Sequence, residues 1–259
     1  MIKNSCDWVL MALGFVYWAV AGLPVTVIGT LLYWVLPKQY AQPCGKFIIQ
    51  QVSKTFISYF KVARLLIIDD ADLKKLAQIP GAMIIAPNHL ALWDAIFIFA
   101  QIPDITCIMK GAILRNPILG GGARLAGYIP NDSTPQMLLS ATHAAKKGAK
   151  LLIFPEGTRT KSDAEWLNPF KGGIALIAKY SHVPIIPVYI RSDSRFLEKG
   201  RPLFLKPAFP IHISIKVGEP ITFAKGGNVD AFTQQLEDNY RAELSKPHPL
   251  RRKPQTAYY

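Results

Sequence analysis

Hydrophobic and polar positions divide the chain into a greasy head and a longer stretch of short apolar runs. From Trp8 to Leu36 no position carries a charge. That run is too long for a signal-peptide core, no small-residue cleavage site directly follows it, and it is long enough for one spanning helix of about 20 residues. Gly22, Pro24 and Gly29 interrupt it near the middle, so the pattern fits either one span or two short helices dipping into one leaflet. Lys38, Lys46, Lys54, Lys61 and Arg64 come next, with no acidic residue before Asp69. They are interleaved with Phe47, Ile48, Ile49, Phe56, Ile57, Tyr59 and Phe60, which predicts an amphipathic helix held against anionic lipid. A core helix with a solvated basic face is the competing reading.

Beyond position 64 the pattern changes. Leu65–Ile68, Met83–Ala86, Ile105–Met109, Leu151–Phe154, Ile185–Ile190 and Ile211–Val217 are short apolar strand candidates. Helical stretches such as Gln136–Lys147 and Gly172–Tyr180 separate them. Strands alternating with helices predict an α/β fold with a mixed, mostly parallel sheet flanked by helices. Gly120-Gly121-Gly122 reads as a joint between helix and loop, or as a flexible rim of an active site. The expected organisation is membrane-associated helices over 1–64, one α/β domain over 65–245, and a basic, proline-rich tail over 246–259.

Composition narrows the partners. Half of the 259 residues are hydrophobic, enough for one substantial core. The formal net charge of +13 suits an anionic membrane, nucleic acid or an acidic protein. The uncharged head and the lack of a recognised binding motif argue against nucleic acid. Cys6, Cys44 and Cys107 make neither a metal cluster nor an even disulfide set, so no metal is expected and a reducing compartment fits.

Two clusters carry chemistry. In Ala86-Pro87-Asn88-His89-Leu90-Ala91-Leu92-Trp93-Asp94 a histidine and an aspartate stand five residues apart. An imidazole takes a proton from an alcohol near pH 7, and a carboxylate on its far nitrogen fixes the tautomer. At about 100° per residue, five residues separate side chains by about 140°, so the two cannot share one helical stripe. His89 is therefore expected in a turn and Asp94 in the first helical turn after it. The second cluster follows the run Leu151–Phe154: Pro155-Glu156-Gly157-Thr158-Arg159. Gly157 permits a tight turn, Glu156 can bind hydroxyls or cations, and Arg159 offers a planar fork for phosphate. Polar groups beyond the carboxyl ends of two apolar strands match where open α/β sheets place ligands.

His89-x4-Asp94, then Phe154-Pro155-Glu156-Gly157-Thr158-Arg159, then Val183-Pro184-Ile185-Ile186-Pro187-Val188 resemble, in order and spacing, the motifs of the glycerolipid acyltransferase family, typified by 1-acylglycerol-3-phosphate acyltransferase. The resemblance runs from about Ile67 to Pro220. It implies an acyltransferase domain that moves a fatty acyl group from a thioester of acyl carrier protein or coenzyme A to a lysolipid hydroxyl. The thioester is a co-substrate, and no cofactor is implied. By this likeness His89 is the general base, Asp94 its partner, and Glu156, Gly157, Thr158 and Arg159 the phosphate-binding block. Lys110, after Ile105–Met109, is the candidate further basic contact. The likeness also favours the N-terminal helical pair embedded in one leaflet; whether the head spans or re-enters, the side carrying Lys38 to Arg64 is expected to be cytoplasmic. One position departs from the pattern: where family members carry Arg after Gly127-Tyr128-Ile129-Pro130-Asn131-Asp132, this chain has Ser133. Asp132-Ser133-Thr134-Pro135 reads instead as a helix start. A hydrolase is disfavoured because no Gly-x-Ser-x-Gly elbow or His-Glu-x-x-His pattern is present. A non-catalytic lipid-binding scaffold would keep the greasy head without needing His89 and Asp94.

Overall fold

The computed structural model describes residues 2–117, 120–164, 166–202 and 205–250. Positions 251–259, most of the expected basic tail, lie outside the described residues. Seven strands form one sheet in the order β1-β7-β6-β2-β5-β3-β4. They are β1 (Leu66–Asp69), β2 (Met83–Pro87), β3 (Ile105–Met109), β4 (Ile129–Pro130), β5 (Lys150–Leu152), β6 (Ile185–Ser192) and β7 (Ile211–Val217). Every pairing is parallel except β6 with β7. The sheet is thus mixed and mostly parallel, as the alternation of strand and helix patterns predicts.

The helices are α1 (Ile2–Val35), α2 (Lys38–Val62), α3 (Ala71–Ala77), α4 (Asp94–Gln101), α5 (Gly111–Leu114), α6 (Gly120–Leu125), α7 (Thr134–Lys146), α8 (Gly173–Ser181) and α9 (Val229–Leu244). The chain crosses from β2 through α4 towards β3 in one direction, and from β5 through α8 to β6 in the other. Parallel crossovers are right-handed, so α4 and α8 cover opposite faces. Packing agrees: α2 lies against α4 and α6, while α7, α8 and α9 pack in a row. All five β2 residues are buried, as a strand covered on both sides requires. β2 and β5 are neighbours whose onward connections leave to opposite faces, and such a switch point opens a crevice beyond their carboxyl ends.

Three expectations change. The Trp8–Leu36 stretch is one helix, not two, because Pro24 lies inside a continuous α1 and the chain turns only at Pro37. α6 lies close against this segment: a Cβ on Gly29 would lie 3.0 Å from the Gly121 carbonyl group, and one on Gly121 would strike the Thr26 backbone. Gly120-Gly121-Gly122 is accordingly neither a flexible rim nor a joint but the buried start of α6, whose bare surface lets α1 approach. Finally, Phe56, Ile57 and Phe60 of α2 are core residues rather than lipid-facing ones, and Phe60 meets Trp93 edge-on at 5.9 Å. Lys46 is tied to Asp104 at 2.9 Å, while Lys38, Lys54, Lys61 and Arg64 stay exposed. α1 and α2 run antiparallel, pinned where Tyr59 Oη donates to the Leu10 carbonyl and Tyr17 Oη to that of Val52.

Candidate active site

β2 ends at Pro87, the chain turns through Asn88–Trp93, and α4 begins at Asp94, the strand, turn and helix order expected from the spacing. His89 Nδ1 lies 3.1 Å from Asp94 Oδ2, and that oxygen also accepts the Ala91 amide at 2.7 Å. Asp94 is 1% exposed and sits in the first turn of α4, where the helix dipole favours negative charge. The His89 ring stacks on Phe154, centroids 3.9 Å apart, so the ring plane is fixed from a second direction. With Nδ1 committed to the carboxylate, Nε2 is the nitrogen left for chemistry.

The turn is held from behind by two residues with different visibility in sequence. Asn88, fully buried, donates from Nδ2 to the Trp166 and Ile190 carbonyls and accepts the Ile190 amide at 2.7 Å. Sequence reasoning did not single it out, although a side-chain amide between two apolar runs was the available signal. Glu156 was expected to meet hydroxyls or cations of a ligand. The structure corrects this: Glu156 is 1% exposed and its carboxylate faces inward. Oε1 accepts the His89 amide at 2.7 Å, Oε2 accepts the Asn168 amide at 2.7 Å, and the Thr160 hydroxyl donates to both oxygens. The Thr160 amide in turn donates to the His89 carbonyl. Burial pushes the Glu156 carboxyl up to about 7, against the pull of these donors.

Gly157 has φ +67, the left-handed geometry its turn requires. Arg159 is half-buried, with Nη1 donating to the Leu197 and Glu198 carbonyls at 2.8 and 3.1 Å. Burial lowers its pKa, and Asp94 pulls it back up. Thr158 is half-buried in the same turn. Lys110 stands just before α5, exposed, beyond β3, with no capping bond from its side chain. β3 lies two strands from β2, about 10 Å at ordinary strand spacing. Lys110 therefore shares the edge of the sheet but is not drawn into contact with His89. A lysine missed by sequence reasoning is nearer: the Lys171 side chain passes 3.0 Å from where a Cβ on Gly157 would stand. At the departing position, Asp132 does not cap α7. It accepts the Gly111 amide at 3.1 Å and pairs with Arg115 at 3.2 Å, while Ser133 precedes the helix.

A second His–Asp pair exists. His212 Nδ1 lies 2.9 Å from Asp193 Oδ2, and its amide donates to Oδ1. It joins the end of β6 to β7, away from the β2–β5 crevice.

Residues 70–191 match the family model described as Acyltransferase. Among proteins of known name, the chain is similar to a 1-acyl-sn-glycerol-3-phosphate acyltransferase from Limnanthes douglasii, 31% identical over 59% of this chain and 53% of that one. It is also similar to a 1-acyl-sn-glycerol-3-phosphate acyltransferase from Pseudomonas aeruginosa, 25% identical over 84% of this chain and 82% of that one. The chain spans about half the length of the Limnanthes douglasii relative and less than half that of a relative from Brassica napus, 1-acyl-sn-glycerol-3-phosphate acyltransferase BAT2, chloroplastic. In fold it is similar to the crystal structure of the 1-acyl-sn-glycerophosphate (LPA) acyltransferase, PlsC, from Thermotoga maritima. That likeness has a TM-score of 0.69 at 18% identity, covering 96% of this chain and 100% of the other.

Proposed function

We propose, from the match of residues 70–191 to the acyltransferase family model, that this chain moves a fatty acyl group from an acyl thioester to a hydroxyl of a lysophospholipid such as 1-acylglycerol-3-phosphate. Coenzyme A or acyl carrier protein carries the donor. The observation that supports this best is the His89–Asp94 pair, with Nε2 making no hydrogen bond among the described residues, at the carboxyl ends of the neighbouring strands β2 and β5. His89 Nε2 takes the acceptor proton as the hydroxyl oxygen attacks the thioester carbonyl. Asp94 holds the ring and stabilises the imidazolium. Collapse of the tetrahedral intermediate breaks the C–S bond, and the imidazolium returns its proton to the departing thiolate. No covalent acyl-enzyme is needed.

The acceptor phosphate is assigned to Arg159, whose Nε and Nη2 make no hydrogen bond among the described residues, with the Gly157–Thr158 turn, Lys171 and, at the outer edge, Lys110. Glu156 positions His89 instead of touching the acceptor. The family's Arg is Ser133 here, so the acceptor headgroup is held by fewer fixed charges on that side.

Attachment to a bilayer is read from α1. Val9, Leu13, Val16, Val20, Leu23, Val27, Leu31 and Trp34 each leave half or more of their surface exposed, and they recur every three or four residues. That spacing is one continuous helical stripe, and a face so large and apolar calls for lipid. Lys38, Lys54, Lys61 and Arg64 add attraction to anionic lipid at the cytoplasmic face.

The test is product analysis by mass spectrometry with a panel of lysolipids and both donor types, for the natural chain and for His89→Ala. We expect phosphatidic-acid-type products from the natural chain and a fall in turnover of about 10²-fold or more in the variant. A folded His89→Ala protein near full activity would overturn the reading.

A further inference from the structure

Away from the His89 crevice, a pocket of about 130 Å³ is lined by Trp166, Arg191, Leu244, Ser245, Lys246, His248 and Leu250. One water needs only ~10–15 Å³ by the same measure, so the space admits a tetrahedral oxyanion. Arg191 is 4% exposed near the carboxyl end of β6. Its Nη2 donates to the Glu243 carbonyl, while the buried Nε has no partner. A guanidinium carries five donors, and a buried one left without an acceptor, as Nε is here, is costly.

The other polar groups on the wall are donors as well. His248 Nδ1 accepts the Leu250 amide at 3.1 Å, so its proton sits on Nε2. Lys246 brings an ammonium that also bonds Glu243, and the Trp166 indole N–H makes no hydrogen bond among the described residues. The nearby negative charge is largely spent. The Glu243 carboxylate is already bonded by Lys216 at 2.7 Å and Lys246 at 2.6 Å, and Asp69 acts on His248 only through space. Lys216 and Lys246 are thus paired with Glu243, while Arg191 on the pocket wall makes no ion pair among the described residues. We propose that this pocket binds a phosphate-class oxyanion, either free phosphate or a phosphomonoester, clasped by Arg191, Lys246, His248 and Trp166. Its walls share an anchor with the His89 turn, since Asn88 bonds both the Trp166 carbonyl and Ile190, the residue before Arg191.

The experiment measures the rise in Tm that sodium phosphate gives over sodium chloride at equal ionic strength, for the full chain in detergent micelles. Glycerol 3-phosphate forms a second arm. The natural chain and Arg159→Lys should both show the rise. Lys246→Ala and His248→Ala, both changes at the rim, should shift half-saturation upward by about tenfold or more. A rise with both ligands assigns phosphomonoesters and a rise with inorganic phosphate alone assigns the free ion; either upholds the site. No phosphate-specific rise would overturn it, as would a rise kept in Lys246→Ala and His248→Ala but lost in Arg159→Lys.

Discussion

Replacing Glu156 by Gln separates two roles that one carboxylate cannot both fill. The side chain keeps its size but exchanges one acceptor oxygen for a donor. The remaining oxygen can serve His89 N–H or Asn168 N–H, not both, since each sits 2.7 Å from a different carboxylate oxygen. Thr160, which now donates to both oxygens, can turn its hydroxyl to accept the new amide N–H. One buried backbone donor is therefore orphaned, at about 1–3 kcal/mol. The opposite effect comes from burial. A carboxyl raised from 4.5 to about 7 weighs on the folded state by about 3 kcal/mol once the pH exceeds 7, and Gln relieves that. The sign follows: with a folded pKa above the unfolded one, this group's contribution is most favourable below pH 4.5 and declines as pH rises to 7. Glu156→Gln should therefore melt within about 2 kcal/mol of the natural chain at pH 7.5 and compare less well at pH 5. Catalysis is more sensitive, because a displaced His89 backbone moves the imidazole, and a shift of about 1 Å costs on the order of 10²-fold. Steady-state assays should find kcat reduced by about 10-fold to 10²-fold with the acceptor KM little changed. An unchanged kcat with a raised acceptor KM would refute the positioning role and restore Glu156 to the acceptor.

Arg159→Lys keeps the charge and loses the fork, so acceptor KM should rise by about tenfold or more while the thioester KM stays; a change confined to the thioester would show the assignment to be wrong. Replacing Val16, Val20, Leu23 and Val27 together by Ser leaves the buried side of α1 intact, and flotation with anionic liposomes should drop sharply. If the variant floats like the natural chain, attachment lies elsewhere. The part of flotation that remains should weaken in high salt, as exposed Lys54 and Lys61 require.

Local rules determined a good deal of this molecule. Alternating apolar runs give an α/β sheet because a strand covered on both faces must be apolar throughout, as β2 is. The five-residue spacing from His89 to Asp94, with Pro87 and Asn88 before it, puts the histidine in a turn and the aspartate on a helix, and that geometry lets Nδ1 reach the carboxylate. Tertiary structure decided what depends on distant neighbours. Pro24 reads as a break, yet α1 is unbroken, and Gly121 lets it lie close against α6 over Thr26 and Gly29. Phe56 and Phe60 read as lipid-facing, yet Phe56 packs on Tyr17 and Trp18 of α1 and Phe60 on Trp93, just before α4. Glu156 has a side chain fit for a ligand, but its direction is set by the His89 and Asn168 amides, 67 residues before it and 12 after. Arg191 and His248 meet only because β6 and the end of α9 converge. A sequence pattern records how much surface a residue wants buried; which partner it meets depends on chain crossings that no local window contains.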